Sequence, residues 1–312
     1  MKILIAGELN LDLVLQDYQS FPELGKEVLV EDLSLTMGSA SAICAAGLAR
    51  LGDDVLFAGK LGADFWGDLV LQHLREFGVD ARYVMRDSTI KTGLTVSITS
   101  ARDRALVTYL GSIAELRESD VKDTWFSGCQ HLHVSSPYLQ MGLRPGLKSL
   151  LARAHRFGLS TSLDPGFDPS GRWERDVVDA LAEVDYFFPN EVELRAIAGV
   201  EDPADALRSL DNGRTVTIAK LGAAGCMVLS GGKPLHIPAF SIEPIDTTGA
   251  GDSFNAGFLH AHLGGHDLIE STRFAAACGA LSTRGLGGTA AQPTEAEATA
   301  FLVAHSAEEV QA

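Results

Sequence analysis

The chain has 312 residues, with Lys+Arg 25 against Asp+Glu 41 and a formal net charge of −16. That length allows a sizeable core, and 46% hydrophobic with 21% charged residues is an ordinary globular composition. An acidic chain lacks the basic face that neutralises a nucleic-acid backbone and the polybasic clusters that hold proteins on anionic membranes, so neither partner is expected.

In chain order, residues 2–6 read as a first β-strand. The apolar stretch is broken by Glu8, Asn10 and Asp12, too early for a signal peptide. No apolar run approaches the length of a membrane span, which predicts a cytoplasmic protein. Residues 11–36 contain Val28-Leu29-Val30 and Leu33-Ser34-Leu35 without a convincing helix. An Ala-rich helix over 41–51 is closed by Gly52, a strand covers 55–59, and an amphipathic helix over 67–77 ends at Gly78. Residues 92–110 read as a β-hairpin with a polar turn at 101–104.

Further strands are predicted at 131–135, 160–164, 186–189, 216–220 and 227–230, with helices at 143–157, 176–183, 191–198 and 204–210. A helix from about Asp252 and a final helix at 294–302, with a tail fraying from about His305, complete the set. This alternation predicts an α/β fold with a largely parallel sheet. The excursions at about 12–36 and 91–111 are placed to build a small separate sheet within one domain, 1–312. Cys44, Cys129, Cys226 and Cys278 are far apart, which fits small buried hydrophobes in a reducing compartment.

The richest string is Asp246-Thr247-Thr248-Gly249-Ala250-Gly251-Asp252-Ser253-Phe254-Asn255-Ala256-Gly257-Phe258. A polar turn here opens an apolar helix, and Gly249, Ala250 and Gly251 leave backbone N–H groups uncovered at its positive end. Such a turn cradles an anion without any lysine, and Asp252 beside it can accept a proton. Helix rules alone leave a second reading open, in which Asp252 only caps the helix and the glycines only form a tight turn.

The string closely resembles the C-terminal signature of the ribokinase-like (PfkB) carbohydrate kinase family, and the resemblance continues in order along nearly the whole chain. Asn10 and Asp12 match the family's sugar-contacting pair, and Gly38 opens its glycine-led segment. Asn190 and Glu193 match an Asn-x-x-Glu motif, and Lys220, Gly222 and Gly225 match a nucleotide loop. There is no Walker-type phosphate loop. The resemblance implies a three-layer αβα sandwich with a mainly parallel central sheet and a small β-sheet lid over the sugar site.

The implied reaction is ATP-dependent phosphorylation of a hydroxymethyl group on a sugar or sugar derivative. Asp252 would deprotonate the hydroxyl, and the amides of Gly249, Ala250, Gly251 and Asp252 would stabilise the developing charge. The resemblance gives Glu193 a role in holding Mg²⁺, largely through water, although Asn190 and Glu193 also read as a capping box. It places Lys220 near the nucleotide phosphates, where by itself a strand-end lysine reads as a solvated charge. Asp246 and Thr248, with residues 282–288, fall where family members bind a K⁺-like cation; Asp246 reads equally well as a turn residue.

The match has gaps. The family's Gly-Gly-x-x-x-Asn segment here has Ser39 and Ile43 at the second and last positions, and Ser135 stands where the ribose kinases carry Glu. The acceptor pocket is therefore expected to be less polar than a ribose site, which keeps a nucleoside kinase open as the alternative. A catalytically degenerate sugar-binding or regulatory protein is the alternative from another class. Gly166 replaces the Asn of an Asp-Pro-Asn-x-Arg-like segment, and Arg172 either reaches an anion or forms a surface ion pair. His131 and His133 share a strand face but are too few for a metal site. His262 and His266 read as a solvated helix end. A homodimer through the lid strands remains open.

Overall fold

The computed structural model describes residues 1–18, 20–99 and 104–309. Most of the turn expected at 101–104 lies outside them. The first half of the chain contains β1 (Lys2–Ala6), β2 (Asn10–Tyr18), β3 (Val30–Met37), α1 (Ala40–Arg50), β4 (Asp54–Gly62), α2 (Phe65–Glu76), β5 (Asp80–Asp87), β6 (Gly93–Thr99), β7 (Arg104–Tyr109) and β8 (His131–Ser135). It continues through α3 (Leu147–Arg156), β9 (Ser160–Asp164), α4 (Asp176–Ala180), β10 (Tyr186–Phe187), α5 (Glu191–Ala198), α6 (Pro203–Leu210) and β11 (Val216–Lys220). The last part holds β12 (Cys226–Ser230), β13 (Lys233–Ile237), α7 (Ala250–Leu263), α8 (Leu268–Ser282) and α9 (Glu295–Glu309).

Nine strands form the main sheet in the order β13-β12-β11-β10-β9-β8-β1-β4-β5. It is parallel from β5 to β11, and at one edge β12 runs antiparallel to both β11 and β13. Alternation along β1 shows how two cores arise. Ile3 and Ile5 pack with residues of α1, α2, α7 and α8, whereas Leu4 and Ala6 pack on the opposite face with residues of α3, α4, α5 and α6.

Several elements differ from the sequence expectation. The helix expected over 143–157 starts at Leu147, after a 3₁₀ turn containing Pro145. The strand expected over 186–189 stops at Phe187, because Pro189 has no N–H to donate. The tail expected to fray from His305 stays helical to Glu309, with the His305 ring packed on Phe301 and Phe240.

The small sheet has the order β3-β2-β6-β7. Its register aligns Leu11, Leu13 and Leu15 with Met37, Leu35 and Leu33 on one side and with Leu94, Val96 and Ile98 on the other. One face is therefore continuously apolar. The opposite face carries Asp12 beside Thr36 and Thr95, with Thr108 beyond. Among the described residues, no helix is long and apolar enough to cross a membrane.

Candidate active site

In the main sheet β1 lies between β4 and β8. The chain leaves these neighbours in opposite directions, which opens a crevice at the carboxyl ends of the strands. Glu8 follows β1, Ser135 ends β8, Asp164 ends β9 and Lys220 ends β11. The N-termini of α1 and α7 enter the same region.

On the acceptor side, the Asn10 amide donates to Asp12 Oδ1 at 2.9 Å and to Thr95 Oγ1 at 3.2 Å. Gly38 is fitted against this pair: a Cβ there would lie 2.2 Å from Asp12 Oδ1 and 2.6 Å from Asn10 Nδ2. Ser39 adopts φ 73° and ψ 121°. Its hydroxyl donates to the Glu8 carbonyl at 2.6 Å and accepts from the Ala42 N–H at 3.1 Å, capping α1. Beneath it the buried Glu8 carboxylate accepts from Ser41 Oγ at 2.5 Å and from Gln140 Nε2 at 3.2 Å. Burial raises the Glu8 carboxyl despite the Ser41 hydrogen bond.

Helix α7 begins with Gly249 at φ 72°, and no side chain caps it. The Ala250 N–H reaches the Thr247 carbonyl at 3.3 Å, a weak bond. Asp252 is the third helical residue. Burial first, then the negative Asp164 carboxylate, hold the Asp252 carboxyl well above the ordinary aspartate range, against the pull of Lys220. Lys220 Nζ meets Asp164 Oδ2 at 2.6 Å. Burial opposes charge on both partners, but each other's charge overcomes it, so the carboxyl is held low and the ammonium high. Glu193 is pushed up to about 7 by burial and by Asp164.

The sequence profile of the pfkB family carbohydrate kinases matches residues 1–295. The chain belongs to this family. It is a carbohydrate kinase, an enzyme that transfers phosphate to an alcohol. An ATP-dependent ribose-1-phosphate kinase from Halopiger xanaduensis is 32% identical over 308 residues, covering 97% of this chain and 98% of that protein. The ribokinase structure from Thermotoga maritima is 25% identical with a TM-score of 0.82, covering 96% of this chain and 99% of that one. The fold also matches a putative ribokinase II from E. coli solved with ATP and Mg²⁺, at a TM-score of 0.85 and 21% identity, covering 97% of this chain and 99% of that one.

In this PfkB-family kinase the other candidate residues fall as follows. Asn190 and Glu193 form a reciprocal capping box on α5: Glu193 Oε2 accepts from the Asn190 N–H at 2.8 Å and Oε1 from its amide at 2.6 Å. Gly222, at φ 58°, lies in an exposed turn after β11. Gly225, at φ 95°, has no room for a Cβ, which would sit 2.1 Å from the Ile237 carbonyl. Asp246 Oδ1 accepts from the N–H and hydroxyl of Thr248 at 2.9 and 2.7 Å, and its Oδ2 accepts from the Gly287 N–H at 2.8 Å.

Two of the candidate acceptor residues are buried. Ile43 is 3% exposed and lies against Gly249 and Gly288, beside the first turn of α7. The Ser135 hydroxyl is buried and bonds to His133 Nε2 at 2.8 Å, its neighbour on the same face of β8.

His131 and His133 are fully buried, joined through the hydroxyl of Ser162 at 2.7 Å from each ring. His262 is partly buried on Phe258, and His266 lies beyond the end of α7. Arg172 is exposed and pairs with Glu174 at 3.4 Å, the surface ion pair of its two readings.

Sequence reasoning missed Asp164, Asn255, Glu8 and Gln140. A polar residue at the end of an apolar strand, Asp164 before Pro165, is a usable signal. Asn255 follows Asp252 by three residues, so both share a helix face.

Proposed function

We propose that the chain is an ATP-dependent kinase that phosphorylates a hydroxymethyl group on a sugar or sugar derivative, with Asp252 as the base. The observation that carries this reading is the uncapped, glycine-led N-terminus of α7 with the Asp252 carboxylate one turn inside it. Asn10 and Asp12, seated against Gly38, orient the acceptor. Asp252 takes the hydroxyl proton as the acceptor oxygen bonds to the γ-phosphorus and the bond to the ADP oxygen breaks. The amides of Gly249, Ala250, Gly251 and Asp252 face the charge that develops, with Ala250 releasing its weak turn bond. An ordinary aspartate, of pKa about 3.9, is a weak base. A raised one is stronger once ionised, but positioning and charge stabilisation carry most of the rate.

Mg²⁺ fits this donor set. Asp164 contacts the Lys220 ammonium, and Glu193 and Asp252 lie near enough to act on its charge, so a divalent cation arriving with ATP would favour the ionised form of the two raised carboxyls. Both Glu193 oxygens already hold Asn190, which suits contact through water. When bound, the cation neutralises phosphate charge; positioning and proton transfer fall to the chain. Asn190, Lys220, Gly222 and Gly225 border the nucleotide, and Asp246 with Thr248 would hold a monovalent cation such as K⁺.

The sugar reading is favoured over a nucleoside, because Asn10, Asp12 and Thr95 gather polar groups at one end of the small sheet. A panel of pentoses, pentose 1-phosphates, hexoses, sugar acids and nucleosides with Mg-ATP, read as ADP release, tests it. Acceptor-dependent release is expected with a sugar or sugar derivative. Thermal stabilisation by a sugar without any ADP release would instead indicate a binding protein. The lid's apolar face, with Leu33 56%, Val107 61% and Tyr109 55% exposed, suits a second copy of the chain; light scattering on a size-exclusion column should then give a dimer, not a monomer.

A further inference from the structure

Strand β10 lies between β9 and β11 but ends at Phe187, short of both neighbours' carboxyl ends. The chain continues between them as Phe188–Asn190, with the Lys220 N–H donating to the Pro189 carbonyl and Asn190 bridging Lys220; on the α7 side of this backbone, Lys220 Nζ reaches across to Asp164 Oδ2 at 2.6 Å. Asn255, on α7, closes the group from above: its amide donates to Asp164 Oδ2 at 2.6 Å, and its Oδ1 accepts from Lys220 Nζ at 3.3 Å. Asp164 is fixed in turn by the Gly166 N–H, which reaches Oδ1 at 3.0 Å. A Cβ on Gly251 would lie 3.3 Å from Lys220 Nζ, so the ammonium sits directly under the first turn of α7.

We infer that Asp164 and Asn255 are positioning residues for phosphoryl transfer: they pin the Lys220 ammonium beneath the first turn of α7, so that it acts on the anion hole from behind. The inference rests on the reading of that turn given above. A lysine side chain has four flexible bonds to order, and an untethered one would swing toward any phosphate within reach. Held by two partners, the charge is fixed before the reaction begins and needs no reorganisation as negative charge builds on the transferring group, the condition under which a fixed cation contributes most. The same arrangement explains why a chain of net charge −16 tolerates three carboxylates at this end of the sheet. Lys220 is their shared counter-charge, and Asp164 is the carboxylate that keeps it in place.

The test uses Asn255→Ala, Asp164→Asn, Lys220→Met and the Asp164→Asn/Lys220→Met double variant, with the best acceptor from the panel and saturating Mg-ATP. Asn255→Ala keeps the ion pair, so it remains informative if Asp164→Asn does not fold; circular dichroism and thermal melting check folding. Expected are a kcat about tenfold lower in Asn255→Ala and about a hundredfold lower in Asp164→Asn, the scale of losing one preorganised group. The dissociation constant of Mg-ATP by calorimetry stays within about threefold, and the double variant is no slower than Lys220→Met alone, as expected for residues acting as one unit.

A folded Asn255→Ala with kcat within twofold of wild type overturns the inference. So do losses that fall on the KM for ATP with kcat intact, the mark of a direct phosphate ligand, or losses that multiply in the double variant. A wild-type chain without acceptor-dependent ADP release overturns the underlying reading instead.

Discussion

Ser39 sits at φ 73° and ψ 121°, a conformation open to glycine and strained by about 1–3 kcal/mol for other residues. Two hydrogen bonds offset the strain, the cap to the Ala42 N–H at 3.1 Å and the bond to the Glu8 carbonyl at 2.6 Å. Replacing Ser39 by alanine keeps the strain and loses both bonds, a destabilisation of about 2 kcal/mol at about 1 kcal/mol for each bond. Replacing it by glycine loses the same bonds but releases the strain, so the net change is within about 1 kcal/mol of zero. Urea unfolding at constant slope measures the difference, and the alanine variant should be the less stable by about 1–3 kcal/mol. An alanine variant as stable as the glycine variant would refute the strain argument, whatever either does to activity.

Gly38→Ala should raise the acceptor KM by at least about tenfold while Mg-ATP binding stays unchanged, because the new methyl meets Asp12 and Asn10; calorimetry and steady-state kinetics separate the two, and an unchanged acceptor KM contradicts the placement. Burial holds His133 at about 4, so the unfolded chain takes up a proton below pH 6.5 that the folded chain refuses. This stability is complete above pH 6.5 and is lost as pH falls toward about 4, up to about 3 kcal/mol. His133→Gln should flatten the slope of unfolding free energy between those limits, and an unaltered slope contradicts the reading. Exchanging KCl for tetramethylammonium chloride at equal ionic strength should lower kcat severalfold, with Asp246→Ala erasing the response; equal rates in both salts remove the monovalent-cation proposal.

The elements that position the site were legible because they are central and apolar. Strands β1, β8, β9 and β11 and helix α5 begin and end where the sequence pattern places them. The missed elements carry weaker patterns. β5, Asp80–Asp87, is an edge strand with charged residues along its length, so its alternation is blurred. β13 follows the Gly231-Gly232 pair, a hairpin signal that Pro234 and the strand's exposure obscured. α8 is announced by an Asp267–Glu270 capping box, but its Ala-rich, buried surface lacks a polar stripe to mark its period.

The same division holds within the site. Glycines, Asp252 and the Asn190–Glu193 pair lie in contiguous strings, so they stand out as motifs, although helix rules alone read them equally as caps and a tight turn. Asp164 and Lys220 are separated by 56 residues and meet at the carboxyl ends of β9 and β11, a contact no local pattern encodes. Ile43 and Ser135 were assigned to the acceptor from their positions in the family pattern; both are buried, Ile43 beside Gly249 and Ser135 bonded to His133. A residue's place in a motif fixes its backbone, while neighbouring packing decides where the side chain points.

The central claim is that Asp252 accepts the acceptor's proton at the N-terminus of α7. The direct measurement is kcat and Mg-ATP affinity of Asp252→Asn beside the wild type, with the acceptor that gives ADP release. Loss of a general base is expected to lower kcat by about 10²- to 10⁴-fold, with Mg-ATP binding and the thermal midpoint preserved. In the wild type, kcat/KM should fall with acid from a pH above the ordinary carboxylate range, since the raised Asp252 carboxyl is inactive once protonated. A folded Asp252→Asn enzyme turning over at a near wild-type rate would contradict the account.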